Sequence, residues 1–558
     1  MKTINQKLAF KPILLGLLLF IFSCETFELE LLDDPDEISL AQSDLNFFLN
    51  SNQVNLAHFF QGRIGVDGGM SEPGMEVTRM AHMYGPLYQN AYTPNQFNEE
   101  WEIAYSTIIS NNRALQPLAQ EQEAFQHLGI AQVIEAYVVT TLVDYFGDVP
   151  YSEAVAGVSN PSRDSGSAVY AAMIELLDAA IVNLNAESST TYSSDLFYGG
   201  ESEDWIRLAN TLKLKIYLQS RLVNSDSAAS INAIIEDGNY ITTAEHDFQF
   251  NWSTNDNNPD SRHPIFARNF DSPGVITDYM SNHLMEELNA GVDDKTVVDP
   301  RLRYYFYRQA DRNAENTTEQ DCFGSLPPEH YGFNIPFCTS NFEGYWGRDH
   351  GDDGGIPPDT GFRATWGVYP VGGLFDDNSF EAIVDRGVGT QGAGISPIML
   401  SSFVNFMLAE SALTLGTSGD AMTYLVEGVS QSIDKVMAFG EAQASAAGLA
   451  PTEEEVENYL DEIRTNYTNA ANDDEKLNII MTEYHIALYG NGVEAFNSYR
   501  RTGKPDDLQP LRAADVDNFL RSFFYPTTSV SNNSNSDQKE DVTEQVFWDT
   551  NPSTGFIK

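Results

Sequence analysis

Positive charge is scarce in this chain. Its 558 residues carry 31 Lys and Arg against 81 Asp and Glu, a formal net charge of −50 at pH 7. Such a surface repels phosphate, so nucleic acid is excluded as a partner. Attachment to anionic lipid through basic patches is excluded for the same reason. Cysteine is nearly missing, with 3 in the chain. A metal site needs more ligands than two Cys, and His330 alone near them makes a weak case. Catalytic signatures are also missing. There is no Gly-x-Ser-x-Gly elbow, no His-Glu-x-x-His and no phosphate-cradling Gly-rich loop ahead of a helix. Beyond the N-terminus, no stretch reads as long and apolar enough to cross a membrane.

The N-terminus reads as an address. Lys2, Lys7 and Lys11 precede the apolar run 12–22, which has the length of a signal-peptide core and is too short to span a bilayer. Ser23-Cys24 then resembles a bacterial lipoprotein box, and Glu25, Glu28 and Glu30 resemble the surface-export signal of Bacteroidetes lipoproteins. The alternative is an ordinary signal peptide with a chance Cys. The first reading predicts a signal peptide over 1–23, lipidation at Cys24, an acidic tether over 24–43, and one domain over 44–558. Acyl chains alone would then hold the protein to the membrane. In an exported chain the two remaining thiols, Cys322 and Cys338, are expected to pair, adding roughly 3 kcal/mol.

Apolar periodicity is strongest at 130–151. Ile130, Val133, Ile134, Tyr137 and Val138 recur at i, i+3, i+4, i+7 and i+8, one broad stripe on a helix. Gly147 and Pro150 stop it. Further helices are predicted over 44–60, 97–118, 168–184, 204–223, 275–288, 396–415, 421–438, 451–467, 474–489 and 492–501. The helix of 130–151 is expected to pair with 97–118 and end in a corner. The tail 523–558 reads as loop. Helix pairs of about 40 residues separated by long loops follow helix-repeat logic without a clean period. The stretch 324–394 loses periodicity and becomes rich in Gly, Pro, Asp and aromatic residues. A long irregular segment of this kind is functional or disordered, and its aromatics argue against disorder.

Several stretches together resemble the SusD/RagB family of Bacteroidetes outer-membrane nutrient-binding lipoproteins. They are the Cys24 box, Phe146-Gly147-Asp148-Val149-Pro150, Trp205 to Asn210 with Leu212-Lys213-Leu214, and Asp299-Pro300-Arg301-Leu302. Phe406 to Ala412 ending at Gly416, Tyr499 to Pro505, and Tyr525-Pro526 complete the series in order. The resemblance implies an all-α, single-domain fold of tetratricopeptide-like helix pairs with long irregular loop insertions. It also implies a SusC-like TonB-dependent transporter as partner, no enzyme activity and no cofactor.

In such a protein the motifs build the body and the loops meet the ligand. Glu410, mid-helix among apolar residues, is read as structural, with Arg500 or Arg501 as its partner. Aromatics make up 12% of the chain. Sugars pack CH faces on such rings while hydroxyls bond to Asp, Asn and Arg. The predicted ligand contacts are therefore Tyr84, Tyr88, Asn251, Trp252, Tyr345, Trp346, Arg348, Arg363 and Trp366. The same rings could instead pin loops to the body. The acidic run 349–359 departs from the spacing of a calcium loop and is read as solvated, so no metal site is predicted. The functional expectation is a cell-surface lipoprotein that binds an oligomeric nutrient, a glycan, and hands it to the transporter. The alternatives are an acidic glycoside hydrolase, whose carboxylate pair sequence does not reveal, and a binder of a non-sugar nutrient such as peptide.

Overall fold

The computed structural model describes residues 44–64, 68–271, 278–290, 295–332, 335–340, 343–354, 362–381, 386–514, 518–553 and 556. The signal peptide, Cys24 and the acidic tether lie outside the described residues. From Leu45 onward the contacts gather the chain into one compact unit.

The fold is α-rich. Its main helices are α1 (Leu45–Gln61), α2 (Ser71–Val77), α3 (98–121), α4 (Phe125–Phe146), α5 (Gly166–Asn185), α6 (Ser202–Gln219) and α7 (Ser227–Asp237). Two short helices follow, α8 (Pro264–Phe270) and α9 (Asn282–Glu287). The last group is α10 (Ser401–Leu415), α11 (Ala421–Ala447), α12 (Glu453–Asn469), α13 (Asp473–Ala487) and α14 (Gly492–Thr502). Within α3, Ile103–Ile109 forms a π-helical stretch. Among the described residues, strands form two antiparallel pairs. β1 (Phe248–Asn251) pairs with β4 (Ile395–Met399), and β2 (Phe306–Tyr307) with β3 (Thr365–Trp366).

α4 is the axis of the body. Every residue from Gln126 to Phe146 is buried, so its polar side chains need internal partners. Glu135 accepts from Arg113 at 2.7 Å, Asn112 at 3.0 Å and the Tyr151 hydroxyl at 3.0 Å. Asp144 accepts from Asn497 at 2.8 Å and from the Trp548 indole at 3.0 Å. The helix ends at Gly147, whose φ of +87° is open to glycine at little strain. Asp148 then accepts the first amide of α5, Gly166 N–H, at 2.8 Å, and the Tyr525 hydroxyl donates to its carbonyl at 2.9 Å. The stop is thus a corner that turns α4 into α5. That changes the expected pairing. The densest neighbour of α4 is α5, while 97–118 packs on it less extensively.

Four further expectations are corrected. Residues 395–399 form β4, and helix begins only at Ser401. Pro397 lacks the amide a helix interior needs, and a two-stranded pair tolerates it. α11 continues past residue 438 to Ala447, because Gly440 stays helical and the left-handed stop comes only at Gly448, φ +68°. The helix predicted over 275–288 is seen only at Asn282–Glu287; residues 272–277 lie outside the described set. Contrary to the sequence reading, α4 and α5 both have the length and apolarity of a membrane span, yet α4 is wholly buried and a third of the α5 window is. The core helix of a water-soluble domain passes the same test.

Candidate ligand-binding site

Three irregular segments meet on one face. They are the loop 79–92, the described residues of 320–354 and a strap over 503–514. At Gly351 a Cβ would lie 2.7 Å from the Leu511 side chain and 3.2 Å from the Gly85 carbonyl, so the three backbones converge there. Arg79 ties two of them together. It is fully buried, donates to the Gln509 carbonyl at 2.7 Å and to the Tyr88 hydroxyl at 3.1 Å. Gln509 donates onward to Asp349 at 2.9 Å and to the Pro336 carbonyl at 2.7 Å. Arg512 N–H donates to His350 O at 2.9 Å, and its guanidinium pairs with Asp352 and, at 3.1 Å, with Asp321.

Cys322 and Cys338 are joined, with Cα atoms 5.7 Å apart. The loop they close lies on the strap: His330 bonds to Leu511 O at 2.8 Å and Tyr331 donates to Pro510 O at 3.3 Å.

Asp349 sits beneath this face. It accepts from Asn282 at 2.9 Å, Gln509 at 2.9 Å and Cys338 N–H at 2.8 Å. Burial nevertheless pushes its pKa up to about 6, against the lowering pull of those donors. The acidic run at 349–352 is therefore interior, not solvated as expected; 355–361 lie outside the described residues. The raised pKa means the folded chain holds a proton here that the unfolded chain releases near its ordinary value of 3.8. The contribution of Asp349 to stability should fall as pH rises from about 4 to about 6 and then level off. Urea midpoints measured across that range should show this slope, and Asp349→Asn should flatten it.

The outer side of the face is open. Tyr84 is 44% exposed, its ring edge-on to His82 at 5.7 Å. The same loop supplies Leu87, Tyr88 and Gln89 to a cleft of about 180 Å³ that is also lined by Leu511, Asn518, Asp541, Val542 and Thr543. A ring, amides, a carboxylate and a hydroxyl around a small apolar floor match the chemistry of a sugar unit.

Residues 39–335 match the family model described as starch-binding, associating with the outer membrane. Residues 390–544 match the model for SusD and RagB outer membrane lipoproteins. The chain belongs to the SusD/RagB family. No curated protein matches it. Solved structures show the fold it shares with the family. A SusD homologue from Bacteroides fragilis is 20% identical with a TM-score of 0.64, over 91% of this chain and 99% of that one. A chitin-binding protein is 19% identical with a TM-score of 0.61, over 91% and 100%. A chitin-binding SusD homologue from Flavobacterium johnsoniae is 18% identical with a TM-score of 0.59, over 91% and 99%.

SusD/RagB proteins are outer-membrane lipoproteins that bind nutrient. In this member the motif residues are body. Trp205 is buried and donates to Asp195 at 2.8 Å. Arg301 is buried with Asp299 at 2.6 Å and Glu483 at 3.1 Å. Glu410 pairs with Arg501 rather than Arg500.

The structure redistributes the predicted contacts. Tyr84 and Tyr88 fall on the loop face, Tyr84 outside and Tyr88 as floor. Four others converge inward, correcting the expectation that they face a ligand. Trp346 is fully buried under the Arg363 guanidinium at 4.9 Å, and Arg363 and Arg348 both cover the Tyr279 ring, at 5.2 and 4.3 Å. Tyr345 is buried against Arg308 at 4.6 Å and bonded to Asp376. Arg363 donates to Gly347 O at 2.7 Å and Glu319 O at 2.7 Å. These cations hold backbone carbonyls of the insert, so they are loop fasteners. Trp366, in β3, is 1% exposed against Tyr489. Trp252 is buried between His58, Phe250 and His263, its indole donating to Ser396 at 2.9 Å. Asn251 is exposed at the end of β1, away from the three segments in its bonding. The sequence reading passed over Asp321, Arg512, Asn518 and Thr543. They lie in polar stretches without periodicity, and only tertiary convergence marks them.

Proposed function

We propose that this chain is a cell-surface lipoprotein, anchored through Cys24, that captures an oligomeric glycan on the face around Tyr84. It would pass the glycan to a SusC-like TonB-dependent transporter. The supporting observation is the exposed Tyr84 ring on the loop that also supplies Leu87, Tyr88 and Gln89 to a cleft lined by Asn518, Asp541 and Thr543. Family membership supports capture rather than bond cleavage. Two solved relatives are described as chitin-binding, so oligomers of N-acetylglucosamine head the ligand panel. The net charge of −50 favours a neutral glycan over an acidic one.

Calorimetry against a glycan panel tests this reading. Tyr84→Ala should weaken the bound glycan roughly tenfold, the size of one aromatic contact of about 1.4 kcal/mol, with the melting temperature unchanged. Silence on every glycan together with binding of peptides would sink the glycan reading. Release of shortened products on incubation would replace capture with hydrolysis.

A further inference from the structure

A group of donors apart from the loop face has the composition of a metal site. α9 places His283 and Glu287 one turn apart on the same side. Nε2 of His283 lies 3.7 Å from Oε1 of Glu287. The strap brings Asp507 to them, and one ring nitrogen of His283 and one carboxylate oxygen each of Glu287 and Asp507 all lie within 4.8 Å of one another. His283 and Glu287 are 2% and 6% exposed, and Asp507 is half-buried. Oε1 of Glu287 is buried and accepts no hydrogen bond, an arrangement that is costly for a carboxylate oxygen unless a cation faces it.

The other carboxylate oxygen is already held. Oε2 of Glu287 lies 3.0 Å from Nδ1 of His485, whose Nε2 lies 2.8 Å from the Thr78 carbonyl. A second-layer hydrogen bond of this kind orients a ligand carboxylate. Lys295 is the cation on the near side. It donates to the Glu287 carbonyl at 2.9 Å and stands 3.5 Å from Glu483, so its charge is shared with a second acid.

We propose that His283, Glu287 and Asp507 bind one zinc-class divalent transition-metal ion, which braces the strap against α9. One imidazole nitrogen with two carboxylate oxygens suits zinc, whereas calcium and magnesium take oxygen donors throughout. Tetrahedral donors about 2.1 Å from an ion stand roughly 3.4 Å apart, which small side-chain rotations reach from the present spacing. Three protein ligands leave one position for water. The strap that carries Asp507 also carries Gln509 and Arg512, so the ion would stiffen the floor of the loop face. The site stands on its own donors and does not depend on what the face binds.

The test is calorimetric titration of Zn²⁺ into the full chain after EDTA treatment, with thermal melts alongside. Saturable one-to-one binding and a raised melting temperature are expected. Asp507→Asn should weaken Zn²⁺ at least tenfold, and because Asp507 is half-buried its metal-free melt should match that of the parent chain. Glu287→Gln should weaken it similarly. Equal Zn²⁺ affinity in the parent and Asp507→Asn overturns the assignment, as does Ca²⁺ binding as tightly as Zn²⁺, or no saturable Zn²⁺ binding at all.

Discussion

Glu410→Ala should destabilise the protein by about 3–5 kcal/mol, the loss seen when one member of a buried charge network is removed. Glu410 is completely buried in α10. Arg501 grips it with two bonds, Nε to Oε1 at 2.7 Å and Nη2 to Oε2 at 2.6 Å, and Arg221 adds a third at 2.9 Å. Burial alone would raise its pKa, but the two guanidiniums more than offset this and hold the carboxyl below its usual range. Its contribution is therefore present above the ordinary carboxylate pKa and lost as pH falls through the depressed one. Truncation leaves two buried cations facing an empty site. Urea unfolding followed by circular dichroism reads the effect. Adding Arg501→Met to Glu410→Ala should recover part of the loss, because one stranded charge goes with it. An unchanged midpoint in the single variant would show that the carboxylate serves something other than the fold.

The partner of Glu410 shows where sequence reasoning runs out. A carboxylate amid an apolar helix announces a buried cation, and Tyr499-Arg500-Arg501 offers two. Successive helix residues point about 100° apart, so only one can face α10. Which one depends on the seating of α14, a tertiary fact. Arg500 instead lies over the Phe496 ring at 3.7 Å and the Trp548 ring at 4.6 Å and donates to Arg521 O at 2.7 Å. The long helices were legible because apolar spacing records which faces are covered, and Gly147 and Asp148 record the corner after α4. The loop face was less legible. Trp346, Trp366 and Tyr84 all sit in Gly-rich, aromatic text, and no local pattern separates a ring that faces water from one that faces the core. Arg512 and Asn518 gave still less signal, since their roles come from segments distant in the chain.

Trp366→Ala is expected to be a folding variant, with a loss of about 3–5 kcal/mol, in the range for emptying a buried aromatic site. The ring lies 5.3 Å from Tyr489, which stacks on Tyr305 at 4.4 Å, and its backbone pairs with Phe306 across β2 and β3. Its indole N–H is buried without an acceptor. Trp366→Phe removes that orphan donor together with some volume, and should fall within about 1.5 kcal/mol of the parent, as for a swap that keeps an apolar ring in place. Two variants then give opposite signatures. Tyr84→Ala should shift glycan affinity and leave the unfolding midpoint alone, whereas Trp366→Phe should retain affinity and report only on packing. If Trp366→Ala kept its midpoint and lost the ligand, the ring would have to face the ligand, and the assignment of binding to the outer loop face would fail. The contrast follows from exposure, 44% for Tyr84 against 1% for Trp366: a ring stacks on a sugar only where the folded chain leaves its face to solvent.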